Sequence, residues 1–211
     1  MAVAATAAAE RAARGIVLAG GRSTRFGADK LAAVERGRPL LAHAIAALDG
    51  LCDEVVVAIG PDRPVPDLPS AVRVLRDERE AEGPLAGLVT GLAGLGDDAR
   101  ALLVAGDMPE VHPGVLRLLL AALDDDHPVA VLGEEPDDRP RPFPMAVVAW
   151  PAGLLAAGLL ATGERRLRAL PERAGAAVVP WRSWTVLDPR RATLRDVDVP
   201  ADLLPDGPSE G

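Results

Sequence analysis

The sequence predicts an α/β protein, a three-layer α/β/α sandwich around a mainly parallel sheet, and two patterns carry that reading. Short continuous apolar, β-branched runs recur at residues 15–19, 55–59, 72–75, 101–105, 129–132 and 146–150, as strands covered on both faces require. Between several of them apolar residues return at helical spacing: Leu41, Ala44, Ile45 and Leu48, then Leu85, Leu88, Val89, Leu92 and Leu95, then Val115, Leu118, Leu119 and Ala122. Each set falls on one helix face. Alternating strands and amphipathic helices make βαβ units and hence a parallel sheet.

Taken in order, residues 1–14 are Ala-rich, with Glu10, Arg11 and Arg14 following the apolar part. A secretory leader places its cations first, so this stretch reads as a frayed or disordered leader. The strand at 15–19 runs into a glycine-rich loop. The strand at 55–59 is followed by a Pro-rich surface loop over 60–69, and Gly83-Pro84 opens a helix, since Pro suits a first helical turn. A second Pro-rich stretch, 134–144, reads as another surface loop before a strand at 146–150, and 205–211 read as a disordered tail. The 211 residues suit one core, so a single domain is expected over 15–204.

Composition excludes several classes of function. Aromatics are 2% of the chain and Tyr is absent, which leaves no stacking platform for single-stranded nucleic acid. The net charge of -8 opposes attraction to nucleic acid or an anionic membrane, so any cations that meet phosphate must be gathered locally. Cys52 is the one cysteine; it excludes an intrachain disulfide and reads as a buried structural thiol rather than a nucleophile. No apolar stretch reaches membrane-spanning length. The expectation is a cytoplasmic monomer or small homo-oligomer.

The chemistry gathers first in Leu18-Ala19-Gly20-Gly21-Arg22-Ser23-Thr24-Arg25-Phe26-Gly27-Ala28-Asp29-Lys30. It leaves the carboxyl end of the first strand, where open α/β sheets bind ligands. Gly20 and Gly21 let backbone amides approach a phosphate chain, and Arg25 and Lys30 add positive charge. The spacing matches neither the dinucleotide fingerprint nor the P-loop. Gly-Gly alone would read as a plain turn; the whole string reads as a polyphosphate cradle.

A second strand ends in Gly106-Asp107-Met108-Pro109. A carboxylate at that end supplies the hard oxygen ligand that Mg²⁺ on a nucleoside triphosphate needs, although strand-Gly-Asp-x-Pro is also a plain Asp-capped turn. Asp77 stands ahead of Gly83-Pro84-Leu85-Ala86-Gly87, where Gly83 either lets a ligand approach closely or serves only to cap the helix with no ligand contact. In Leu194-Arg195-Asp196-Val197-Asp198-Val199-Pro200 alternation places Asp196 and Asp198 on one face, toward a metal or toward solvent, with Pro200 starting a helix. Arg165, Arg166 and Arg168 either grip an anionic acceptor or form a solvated helix face. His43, His112 and His127 have no metal-ligand spacing and read as structural or exposed.

The glycine-loop string resembles the signature of a known family, the MobA-like NTP transferases, nucleotidyltransferases built on a Rossmann-like sheet: L-A-G-G-x-[ST]-x-R-[MF]-G-x-D-K, matched here at every signature position. The resemblance implies that Leu18, Ala19, Gly20 and Gly21 contact the nucleotide. It assigns Arg25 and Lys30 to the phosphates as catalytic groups, Asp77 to nucleotide binding, Asp107 to Mg²⁺, nucleotide and catalysis, and Asp198 to the metal. Val199 and Ala201 stand where relatives carry Thr and Glu.

Within the family the chain is most similar to molybdenum cofactor guanylyltransferases, through Gly83 to Gly87, Gly106 to Pro109, Arg141-Pro142-Phe143-Pro144-Met145 and Gly163-Glu164-Arg165. Ala58 stands where some of them carry Asn. That resemblance implies transfer of GMP from GTP to the molybdopterin cofactor with release of pyrophosphate. Cytidylyltransferases for the same cofactor share the loop and often end in Asp-x-Asp, and nucleotidyltransferases for phospholactate or sugar phosphates are a further alternative. A non-catalytic nucleotide-binding module would have no need of Arg25, Lys30 and Asp107 together, and a nicotinamide oxidoreductase fails on glycine spacing.

Overall fold

The computed structural model describes residues 13–20, 26, 29–65, 67–77, 83–96 and 99–204. The strands are β1 (Ala13–Leu18), β2 (Val34–Glu35), β3 (Arg38–Pro39), β4 (Cys52–Ile59), β5 (Val72–Arg76), β6 (Arg100–Ala105), β7 (Val129–Glu134), β8 (Arg139–Val148) and β9 (Ala177–Val179). The helices are α1 (Leu40–Ala46), α2 (Gly83–Ala93), α3 (Pro113–Ala121), α4 (Ala149–Ala161), α5 (Ala169–Ala174) and α6 (Trp181–Trp184). Seven strands form one sheet in the order β5-β4-β1-β6-β8-β7-β9. β8 pairs antiparallel with β6 and β7 and alone runs against the others. The sheet is mainly parallel, as expected.

Period-two alternation explains why both faces are covered. In β1, Val17 packs toward α1 and α3 with Leu102 and Val104 of β6, whereas Ile16 packs toward α2 and α4 with Ala101 and Leu103. Leu41, Ala44, Ile45, Val115, Leu116 and Leu119 close the first layer; Leu85, Leu88, Leu92, Ala149, Ala152 and Ala156 close the second. The result is a three-layer α/β/α sandwich. Because β1, β4, β5 and β6 are parallel neighbours, their carboxyl ends share one edge. That edge carries the motifs.

The second Pro-rich stretch is a correction: residues 134–144 are the end of β7, a turn, and the first half of β8, joined in a β-hairpin. Pro140, Pro142 and Pro144 are tolerated because β6 pairs only with Met145 to Val148. Earlier in β8 one flank lacks a partner strand, where a missing N–H costs little. The run expected as a strand at 146–150 instead ends at Val148, and Ala149-Trp150 begin α4. β1 takes in Ala13 and Arg14, which the sequence assigned to the leader; residues 1–12 and 205–211 lie outside the described residues. Pro200 starts a three-residue 3-10 turn rather than a full helix. The hairpin of β2 and β3, turning through Arg36 and Gly37 at φ 51° and 72°, and the short β9 were not anticipated. Both are shorter than a periodic signal can mark.

Cys52 is half-buried beside Gly15, and burial pushes its thiol up to about 12, as fits a structural thiol. Among the described residues no helix is long and apolar enough to cross a membrane.

Two glycines give opposed expectations for stability. A Cβ on Gly91 in α2 would lie 2.6 Å from Cγ2 of fully buried Ile16, so Gly91→Ala overpacks the helix against the sheet and should destabilise by about 1–3 kcal/mol. Exposed Gly158 in α4 has nothing within 4 Å of the added Cβ; Gly158→Ala should stabilise by about 0.5–1 kcal/mol. Thermal melts should move in opposite directions by about 2–4 °C per kcal/mol. Equal shifts would refute the packing of α2 on Ile16.

Candidate active site

Lys30 is the centre of the site. Asp29, at the N-cap of the 3-10 turn Lys30–Ala32, accepts the Leu31 N–H through its side chain (3.1 Å) and also pairs with Arg63. This local cap explains why Asp precedes Lys in the signature: it stiffens the turn that aims the amine. The Lys30 ammonium, whose side chain is 11% exposed, lies 2.7 Å from Asp107 Oδ2 and 2.9 Å from Asp198 Oδ1. Burial alone would lower its pKa, but hydrogen bonds and attraction to both carboxylates outweigh burial and hold it above its ordinary value.

Asp107 reaches this position because β6 ends beside β1. Leu18 pairs with Ala105, and the Gly106 N–H donates to the Leu18 carbonyl (2.9 Å). A Cβ on Gly106 would press within 3.2 Å of that carbonyl, Leu31 and Leu41, so glycine sets the approach. Asp107 Oδ1 is buried and has no hydrogen-bond partner among the described residues. An orphaned carboxylate oxygen invites a ligand. Beyond it, Val197 is buried and donates its N–H to the Asp107 carbonyl (3.0 Å). Asp196 and Asp198 on either side are exposed, as alternation requires, and Asp198 alone of the two is paired with Lys30. One ammonium beside two carboxylates leaves one net negative charge. Such a group can hold a dication.

The same edge continues to the other side of β1. The Ala19 N–H donates to the Ala58 carbonyl (2.8 Å), and the Asp77 N–H to the Ile59 carbonyl (2.9 Å). A Cβ on Gly20 would lie 3.5 Å from Asp77 Oδ2 and 3.6 Å from the Gly60 nitrogen. Leu18, Ala19, Gly20 and Asp77 are therefore brought together at the carboxyl ends of β1, β4 and β5. Ala58 packs under Gly87, next to Leu18. Gly21 and Arg25 lie outside the described residues. Gly83, expected to admit a ligand, instead admits backbone: at φ 78° its Cβ would fall 2.7 Å from the Arg165 carbonyl. The Gly163-Glu164-Arg165 segment thus abuts the start of α2. Glu164 accepts the N–H groups of Arg165 and Arg166 and ion-pairs with the Arg166 side chain.

The histidines play structural parts. His43 hydrogen-bonds the Glu35 carbonyl, His112 caps α3 through Nδ1, and His127 pairs with Asp124.

A second ion group carries no sequence motif. Glu35 in β2 is fully buried, and both its oxygens meet the Arg195 guanidinium, at 2.9 and 2.6 Å. Arg195 also donates to Glu110 (3.3 Å) and to the Asp202 carbonyl (2.6 Å), while Leu204 N–H donates to Glu35 (2.9 Å) and Arg36 pairs with Glu110 (3.0 Å). Two carboxylates and two guanidiniums balance. The sequence shows Glu35 only as one charge in a short polar stretch, with no spacing to announce a partner 160 residues away.

The Arg195 hydrogen bonds, acting against burial, hold the Glu35 carboxyl below its ordinary range. A depressed folded pKa gives stability that is present above the unfolded value and lost as pH falls through the folded one. Glu35→Gln should therefore be less stable than the parent near neutral pH, and the difference should shrink from about pH 4.3 downward. Urea unfolding across pH reads it; a difference that stays constant would contradict the pairing.

Comparison with known proteins follows the same geometry. The profile of the MobA-like NTP transferase domain matches residues 15–178. The chain is 34% identical over 201 residues to the probable molybdenum cofactor guanylyltransferase of Chloroflexus aggregans, covering 90% of each chain. It is 36% identical over 166 residues to the molybdenum cofactor guanylyltransferase of Burkholderia vietnamiensis, covering 74% of this chain and 79% of that one. Its fold is similar to molybdopterin-guanine dinucleotide biosynthesis protein A of Archaeoglobus fulgidus, with a TM-score of 0.69, 19% identity and coverage of 90% and 94%. With the domain profile spanning most of its length and full-length relatives above 30% identity, the chain belongs to the MobA-like NTP transferase family.

Proposed function

We propose that this chain, as one catalytic domain over residues 13–204, transfers GMP from GTP to the molybdopterin cofactor and releases pyrophosphate. The observation that carries this reading is Lys30 held between Asp107 and Asp198 at the carboxyl edge of the sheet, beside the Gly20 turn. Relatives named as guanylyltransferases of the molybdenum cofactor support the choice of donor and acceptor.

The reaction is attack by an acceptor phosphate on the α-phosphorus of the nucleotide, so no protein nucleophile is required. Alignment and charge stabilisation do the catalysis. Leu18, Ala19, Gly20 and Gly21 would receive base, ribose and phosphates along the backbone, with Asp77 beside Gly20. Arg25 and Lys30 would meet the phosphate charge. Asp107 and Asp198 would hold Mg²⁺: the unsatisfied Asp107 Oδ1 and the residual negative charge of the group fit such a ligand, and hard carboxylate oxygens are its preferred donors. Among the described residues no set of three or more His, Cys, Asp or Glu side chains gathers to form a cage, which suits an ion shared with substrate phosphates. When bound, Mg²⁺ supplies charge neutralisation at the reacting phosphate and the departing pyrophosphate. Lys30, kept protonated by its two carboxylates, would hold positive charge where negative charge develops.

Pyrophosphate release should depend on both GTP and molybdopterin cofactor in Mg²⁺, and Asp107→Ala should reduce it at least about a hundredfold. Lys30→Arg should fail to restore full activity, because a planar guanidinium cannot replace a compact ammonium between two carboxylates. Turnover with CTP and not GTP would overturn the donor assignment; turnover in Asp107→Ala equal to the parent would overturn the site.

A further inference from the structure

Each of the three segments that supply the Lys30 group also supplies one member of the second ion group. Glu35 lies five residues after Lys30, Glu110 three after Asp107, and Arg195 three before Asp198. We propose that Glu35, Glu110 and Arg195 are positioning residues: their partly buried pairing locks the three segments in register, so that Asp107 and Asp198 stand against Lys30. The inference rests on reading that group as the phosphate and metal site.

Three observations carry it. The Asp198 side chain is 60% exposed, so little packing orients it and its place depends on the backbone that presents it. That backbone is pinned at several points between residues 195 and 204: Arg195 to Glu35 and Glu110, Val197 N–H to the Asp107 carbonyl, the Asp198 and Val199 N–H groups to the Asp202 carboxylate, and Leu204 N–H to Glu35. The charges also divide the labour. Glu35, Glu110, Arg195 and Arg36 sum to zero, and Glu35 is fully buried, as a fixed structural contact requires. Lys30, Asp107 and Asp198 sum to one negative charge, with Asp198 open to solvent. The first group is balanced in charge around a buried carboxylate; the second keeps a net charge and an exposed carboxylate.

Lys30 is the one lysine among 23 lysines and arginines. An amine-directed reagent therefore reports on this single side chain besides the α-amine, without reference to activity. The test compares the full chain with Glu35→Leu/Arg195→Leu, using Asp198→Asn as the reference for an amine that has lost one carboxylate. Apolar replacement of a buried pair commonly preserves folding, and Glu110 keeps Arg36. Acetylation with limiting N-hydroxysuccinimidyl acetate, read by mass spectrometry, should label Lys30 in the folded double variant about as fast as in Asp198→Asn and clearly faster than in the parent. Half-saturation by Mn²⁺ in the presence of GTP, read by electron paramagnetic resonance, should rise about tenfold or more.

Labelling and Mn²⁺ constants equal to the parent in a cooperatively melting double variant would overturn the proposal. Should that variant not melt cooperatively, Arg195→Lys decides. It keeps the charge and loses the two-pronged geometry; with the Lys30 peptide separated from the peptide carrying the introduced amine by proteolysis before mass spectrometry, Lys30 labelling must shift in the same direction or the proposal falls. A parent protein that binds no Mn²⁺ with GTP would sink the catalytic reading, while Lys30 labelling would still decide the positioning role.

Discussion

A single ammonium held by two carboxylates from distant parts of the chain organises this molecule. Lys30 follows the glycine loop, Asp107 ends a central strand, and Asp198 sits in a segment added after the sheet is complete. Each partner alone is a common surface charge. Together, partly withdrawn from water, they make a place where charge is strong because solvent screening is weak. The parallel sheet is what allows the meeting, since β1 and β6 are direct neighbours and end at the same edge.

An acidic chain with a net charge of -8 has to solve a local problem when it handles triphosphates. The carboxylates that would hold a cation also repel the substrate. Placing Lys30 between them removes part of that repulsion and leaves one negative charge. The rest of the fold works to keep the geometry narrow: Gly106 permits contact with the Leu18 carbonyl, Asp29 caps the turn before Lys30, and buried Val197 anchors the segment that carries Asp198. None of these residues needs to touch substrate to matter.

How much was legible in the sequence follows from the range of the signal. Strands β1, β4, β5, β6 and β7 announce themselves as apolar runs, and α1 to α3 by helical spacing, because burial on one or both faces is written in consecutive residues. The first half of β8 was misread as a loop because proline is a strong local signal, whereas what excuses Pro140 to Pro144 is a missing neighbour strand, a tertiary fact. In the candidate site the structure brings to one sheet edge Leu18 to Gly20, Lys30, Asp77, Asp107 and Asp198, which were marked as candidates by strings of fixed local spacing and the family resemblance those strings carry. Glu35 and Arg195 were not, since a buried ion pair between one hairpin and a remote segment leaves no local pattern. Gly83 was read correctly as a point of close approach and wrongly as to what approaches, which is the backbone of Arg165.

The most direct measurement of the central claim is a crystal structure with Mn²⁺ and GTP, with the metal located by anomalous scattering. The account places the anomalous peak at coordination distance from Asp107 Oδ1, with the triphosphate running from the Gly20 turn toward Lys30. A bound nucleotide whose metal touches neither Asp107 nor Asp198, or a triphosphate lying away from Lys30, would contradict it.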